Sequence, residues 1–249
     1  MELLSERQGA RLQYYLALSP AQIDWLKLLA FAAMVGDHLN WSLQLANPWL
    51  MLMGRMVLPL FGLIWGMNLA RRALISQASL NRLWFWAMLA QPAYWLAMRP
   101  AGFDWWNLNI LFAFAVCGQC LRLVMSGGVL HFIAVIVILV VYLPLSETSY
   151  SLPGLMLLAC SYGYFRLSAQ SLRDAFAITW LASAALLNFG NNWEYCLAAI
   201  VLPVGVIALV RTGQLQSDQR FLSRNFFTGA YVAHLAILAV VASLLGGHA

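Results

Sequence analysis

Polar residues, glycines and prolines divide this chain into about nine apolar pieces, each close to the roughly 20 residues that a helix needs to cross bilayer hydrocarbon. They fall near 22–43, 50–70, 83–98, 107–125, 128–144, 149–165, 174–189, 194–211 and 226–246. Of the 249 residues, 63% are hydrophobic and only 9% charged, and the mean hydropathy is +0.76. That balance lies far outside the range of water-soluble domains. The expected fold is therefore all-α, a polytopic integral membrane helix bundle of about nine transmembrane helices. Residues 1–249 read as a single domain, with 1–21 as an interfacial lead-in. Ser19-Pro20 supplies a cap and a first-turn proline for the first span.

Charge placement orients the bundle. With the N-terminus cytoplasmic, Arg7, Arg11, Arg71, Arg72, Arg82, Arg122, Arg166, Arg173, Arg211, Arg220 and Arg224 all fall in inward-facing segments, as the positive-inside rule requires. The opposite side keeps Arg99 with Asp104, Glu147 and Glu194. The net charge of +5 is then a matter of topology, and no nucleic-acid partner is needed. Glu2, Glu6, Arg7 and Arg11 interrupt the amino end, which speaks against a cleavable signal. The spacing Cys117-Gly-Gln-Cys120 is that of a redox motif, but an apolar span is the wrong setting for one. Small-residue helix packing is the simpler reading, and neither a metal site nor a disulfide is expected.

What hydrophobicity does not explain is a set of ionisable residues inside the first two spans. Lys27, Phe31, Met34 and His38 share one helical stripe, because eleven residues turn about 20° past three full turns. The rise of 1.5 Å per residue puts lysine and histidine about 16 Å apart, with Lys27 toward the cytoplasm and His38 expected near mid-depth. The second span returns through Asn47-Pro48, so Arg55 should lie level with Asp37 and His38. A charge at that depth costs about 2.5 to 3.5 kcal/mol on the insertion scale, so Asp37 and Arg55 are expected to pair. Pro59 should kink the span next to Arg55, and Gly62 with Gly66 offers a close-packing face. Asn107 and Asn109, Ser146 to Tyr150, Asn188 with Asn191 and Asn192, and His234 suggest a polar pocket opening outward.

This arrangement suits an elongated donor with an anionic head. An acyl-coenzyme A could place its phosphates on Lys27 and on the loop arginines Arg71 and Arg82, near Asn68, and deliver its thioester to His38. His38 would act as general base, with Asp37 beside it and Arg55 stabilising the oxyanion. Asn107, Asn109, Ser149, Tyr150 and His234 are the candidates for the acceptor side. A structural Asp37–Arg55 pair, a proton-coupled transporter and an assembly factor are the competing readings.

At these same residues the chain resembles the TraX family, the pilin N-acetyltransferases of conjugative transfer systems, related to transmembrane acyltransferases. The matching stretches are Ser19-Pro20 with Gln22, Asp24 and Lys27; Met34-Val35-x-Asp37-His38; Gly54-Arg55 to Pro59-Leu60-Phe61; Trp65-Gly66-x-Asn68-Leu69-x-Arg71; and Asn81-Arg82-Leu83-Trp84. Gln91 with Ala93-Tyr94, Asn109 to Phe114, Pro144 to Tyr150 and His234-Leu235-Ala236 follow in order. The resemblance implies an inner-membrane enzyme that acetylates the N-terminal amine of a membrane-inserted pilin subunit, with acetyl-CoA as co-substrate. Lys27 stands where related families often carry arginine. The acceptor is left open between a pilin and an envelope glycan.

Overall fold

The computed structural model describes residues 16–246 except Asn191, Gln214, Gln216 and Arg224. Glu2, Glu6, Arg7, Arg11 and most of the predicted lead-in lie outside them. Ten α-helices follow in order: α1 Pro20–Ser42, α2 Pro48–Gly54, α3 Val57–Ala70, α4 Gln77–Met98, α5 Ile110–Ser126, α6 Val129–Tyr142, α7 Ser151–Arg166, α8 Gln170–Leu186, α9 Trp193–Thr212 and α10 Phe226–Gly246. Nothing in the described residues forms a β-strand. The all-α expectation holds, and most boundaries fall within a few residues of the predicted spans. The largest shift is at α4, which starts at Gln77 because Ser76 caps it in an extended conformation. That places Arg82 on a helix and not in a loop.

The expectation of nine transmembrane helices is corrected. Among the described residues, three helices are long and apolar enough to cross a membrane, namely Pro48–Ala70 taken as one rod, Trp193–Thr212 and Phe226–Leu245. A fourth arises only if Val129–Leu145 and Glu147–Arg166, bent by 102° at their junction, are counted as one broken span. The reason differs from helix to helix. α1 has the length, at 23 residues, but Gln22, Asp24, Lys27, Asp37, His38 and Asn40 make it too polar. α5 to α8, at 17, 14, 16 and 17 residues, fall short of the roughly 20 that the hydrocarbon demands. The chain is a helical membrane protein in which a few apolar helices pack with shorter and more polar ones.

The second predicted span is broken at Arg55 and Met56 into α2 and α3. Proline's ring clashes with the carbonyl four residues back and cannot donate to it, and for Pro59 that residue is Arg55. The chain responds with two tighter bonds, Arg55 N–H to Leu52 O at 3.2 Å and Met56 N–H to Met53 O at 3.3 Å. The expected kink is thus one turn upstream of the proline. Gly66 lets α3 lie against α7, since a Cβ there would come within 2.6 Å of the Ser161 backbone.

Hydrogen bonds tie the loops into two ends. At one, Gln22 reaches Val210 O at 3.3 Å, Ala21 N–H meets Ser217 O at 3.3 Å and Arg122 Nη1 meets Ile75 O at 2.5 Å. This basic end holds the described arginines of the predicted inner face. At the other, Gln44 donates to Pro100 O, Gln91 to Asn107 O at 2.7 Å, and Leu108 N–H to Leu145 O at 3.3 Å.

Candidate active site

α1 is the hub of the bundle, touching α2, α3, α4, α9 and α10. Its stripe of Lys27, Phe31 and His38 faces α10. Lys27 Nζ sits 5.5 Å from the Phe227 ring, Phe31 packs edge-on to Phe227 and His234, and the His38 ring lies parallel to that of His234, within 5°. His38 is about 27 Å from the start of α1 and about 6 Å from its end at 1.5 Å per residue, close to the end opposite the basic one.

His38 Nδ1 and His234 Nε2 are 2.8 Å apart, and the protons in this pair can be placed by elimination. His234 Nδ1 lies 3.2 Å from the Ala230 carbonyl, which can only accept, so this nitrogen carries the hydrogen. In a neutral ring Nε2 is then the acceptor. His38 must donate to it from Nδ1, which leaves the lone pair on His38 Nε2. That is the tautomer a base needs, and α10 sets it. Tyr94 and Tyr231 pack around the same ring at centroid distances of 6.3 and 6.2 Å.

The expected partner of Asp37 is in place. Arg55 Nη2 is 3.5 Å from Asp37 Oδ1, Nη1 is 3.4 Å from Asn188 Oδ1, and Nε donates to Met51 O at 3.0 Å. Tyr195 presents its ring 5.7 Å from the guanidinium. Gly54 makes this possible, because a Cβ there would sit 2.5 Å from the Asp37 carboxyl. The guanidinium is held on several sides, so its position is set by α2, by the turn after α8 and by α9, together with α1.

A cavity of about 30 Å³ is lined by Asp37, His38, Tyr94, Thr148, Tyr150 and Tyr231, with Met34, Val57 and Ile110. It has room for a water or two. The Thr148 and Tyr231 hydroxyls are buried without a well-formed hydrogen bond among the described residues. Buried polar atoms of that kind call for a water or a ligand. A ligand larger than a water or two can reach His38 only if this wall opens. Tyr150 is the shared element. It lines the His38 cavity, a hollow beside Arg55 and Asn188, and an open vestibule of about 290 Å³ bearing Arg55, Glu147 and Thr148. Tyr150 and Ser151 hold φ of +76° and +45°, a left-handed backbone that non-glycine residues rarely adopt. Gly154 leaves the space, since a Cβ there would fall 2.5 Å from Tyr150 Cβ.

Other predicted site residues are elsewhere. Lys27 pairs with Asp24 at 3.6 Å, 16 Å or so along α1 from His38 at the helical rise. Arg82 is exposed on α4 and donates to Ser79 Oγ at 3.3 Å, while Asn68 is half-buried near the end of α3. Arg71 lines a separate chamber of about 240 Å³. Asn107 accepts from Asp104 N–H at 2.6 Å, and Asn109 caps α5 through Leu111 N–H at 3.0 Å while donating to Ala87 O and Gln91 Oε1 at 2.9 and 2.8 Å. Ser149 accepts from the Tyr142 hydroxyl at its carbonyl, at 3.1 Å. These three polar side chains are used to start helices and fix loops, and none of them lines the His38 cavity. His234, read from the sequence as an acceptor contact, is instead the partner of His38. Tyr94 and Tyr231 were missed as part of the wall. The signal for Tyr231 was its place three residues before His234, on the same face of one helix.

A histidine aligned by a second histidine, beside a carboxylate–guanidinium pair, defines a half-buried polar site within an all-helical bundle. The family described as TraX protein matches residues 22–242, and the chain belongs to it. It is 40% identical over 239 residues to Protein TraX of Escherichia coli, covering 96% of this chain and 94% of that one. To Protein TraX of Escherichia coli strain K12 it is 39% identical over 240 residues, with 96% and 94% covered. No solved structure matches.

Proposed function

We propose that the protein is an acetyltransferase of the inner membrane, multi-pass with its N-terminus cytoplasmic, that moves acetyl from acetyl-CoA to the N-terminal amine of a membrane-inserted pilin subunit. The observation that carries this reading is the His38–His234 contact of 2.8 Å, which leaves a lone pair on a ring lining an internal cavity. His38 Nε2 takes the proton as the amine nitrogen attacks the thioester carbonyl. Arg55, next to Tyr150 at the cavity wall, is placed to stabilise the oxyanion once the wall opens, and Asp37 holds Arg55. The carbonyl then re-forms, the C–S bond breaks, and the proton on His38 is available to the departing thiolate. An α-amine, with a pKa near 7.7 to 8.0, is already partly neutral at physiological pH, so modest base strength suffices. The acceptor approaches through the vestibule with Arg55, Glu147, Thr148 and Tyr150. On the donor side Lys27 is the candidate on the His38 stripe, with Arg82 and Asn68 at the same basic end.

Mass spectrometry of the first residue of the cognate pilin, from cells with and without this protein, tests the proposal. A mass increase of one acetyl group only in its presence is expected. An unmodified amine in both would remove the pilin as acceptor, and acetylated envelope glycan in the same cells would assign the alternative one.

A further inference from the structure

The cavity at His38 has two unlike sides. Met34 of α1, Val57 of α3 and Ile110 of α5 form its apolar lining. Met34 and Val57 are buried members of one packed cluster that also holds Tyr94 and Tyr231, and Ile110 packs against that cluster. A wall contributed by three helices and set in a close-packed core yields little to an added carbon. Thr148 and Tyr150 come instead from the connection between α6 and α7, and both also line the vestibule of about 290 Å³ that bears Arg55.

We infer that the helix side of this cavity measures acyl length: Met34, Val57 and Ile110 seat the methyl of an acetyl group and turn away longer acyl chains. The inference rests on the acetyl-transfer reading above, and the size of the space carries it. A cavity of about 30 Å³ admits a water or two, which is about the room that a methyl and a carbonyl oxygen take. The three apolar side chains suit the methyl. The Thr148 hydroxyl, buried without a well-formed hydrogen bond among the described residues, suits the carbonyl oxygen as a donor. Its place on the vestibule side turns that oxygen toward Arg55. A propionyl group brings one more methylene, for which the helix side has no space. Opening the wall at Tyr150 does not relieve this, because the connection that carries Tyr150 supplies none of the three apolar residues. One methylene in an apolar pocket is worth roughly 10–200-fold in kcat/KM.

The test uses the full-length protein, reconstituted with the cognate pilin and offered acetyl-, propionyl- or butyryl-CoA, with acyl transfer to the pilin amine followed by mass spectrometry. Wild type is expected to favour acetyl over propionyl by at least about tenfold in kcat/KM, with butyryl transferred more slowly still. Val57→Ala should cut the acetyl-to-propionyl ratio several-fold through faster propionyl transfer. Ile110→Ala, on another helix, should do the same and serves where the first variant does not fold. Equal use of acetyl and propionyl by wild type, or an unchanged ratio in each folded alanine variant, would overturn the inference while leaving acetyl transfer standing. No transfer of any acyl group by folded wild type would overturn the acetyl-transfer reading and this inference with it.

Discussion

The two ends of this bundle handle their charges in opposite ways. At the His38 end, Asp37, Arg55, His38 and His234 are held by one another around a cavity with room for a water or two. At the basic end the arginines surround larger and more open spaces, and Lys27 is paired locally with Asp24. A residue fixed by several partners has one geometry, which suits chemistry, whereas an open basic surface suits binding of a negatively charged group. The linear sequence makes the two ends look like poles of one ligand path along α1. In the structure the His38 cavity and the Arg71 chamber share no lining residue.

The contrast can be broken most severely at Arg55. Arg55→Ala leaves Asp37 without its countercharge, and for this half-buried pair the loss is expected below the ~3–5 kcal/mol of a fully buried one. We expect loss of acetyl transfer with a fall in the thermal midpoint, whereas Asp37→Asn/Arg55→Gln should recover the midpoint without recovering transfer. Recovery of both would make the pair a structural clasp. Next in size, Gly54→Ala forces a methyl into the Asp37 carboxyl and should cost about 1–3 kcal/mol as overpacking, readable by chemical denaturation in detergent. An unchanged midpoint would mean that α2 can slide.

His234→Ala should lower kcat roughly tenfold with little change in the KM for acetyl-CoA, because it releases the ring whose tautomer it sets. His234→Gln, which can still accept from Nδ1–H, should restore part of that loss. A KM effect without a kcat effect would return His234 to the acceptor side. The smallest change is expected from Lys27→Ala, a several-fold rise in the KM for acetyl-CoA at near-normal kcat. An unaltered KM would remove the basic end of α1 from donor binding.

How far the sequence could be read follows from what each residue needs. Helix positions and the all-α class were legible because apolar runs and caps such as Ser19 act locally. The Asp37–Arg55 pair was legible because a short turn fixes the register of two antiparallel helices. The number of membrane spans was not, since several runs are too short or too polar and depend on neighbours that a linear reading does not show. The partnership of His38 with His234, 196 residues apart, depends on where α10 docks. Asn107 and Asn109 read in the other direction, because a polar side chain that fixes a loop or caps a helix looks in sequence like one that faces a ligand.

The central claim is that the lone pair on His38 drives transfer. Wild type and His38→Ala, reconstituted side by side with labelled acetyl-CoA and the cognate pilin, test it most directly through the rate of label arriving on the pilin amine. General-base catalysis contributes roughly 10²–10⁴-fold, so the account predicts a loss of at least about a hundredfold with the variant inserted and folded as wild type. Label transfer at the wild-type rate by the alanine variant would contradict it.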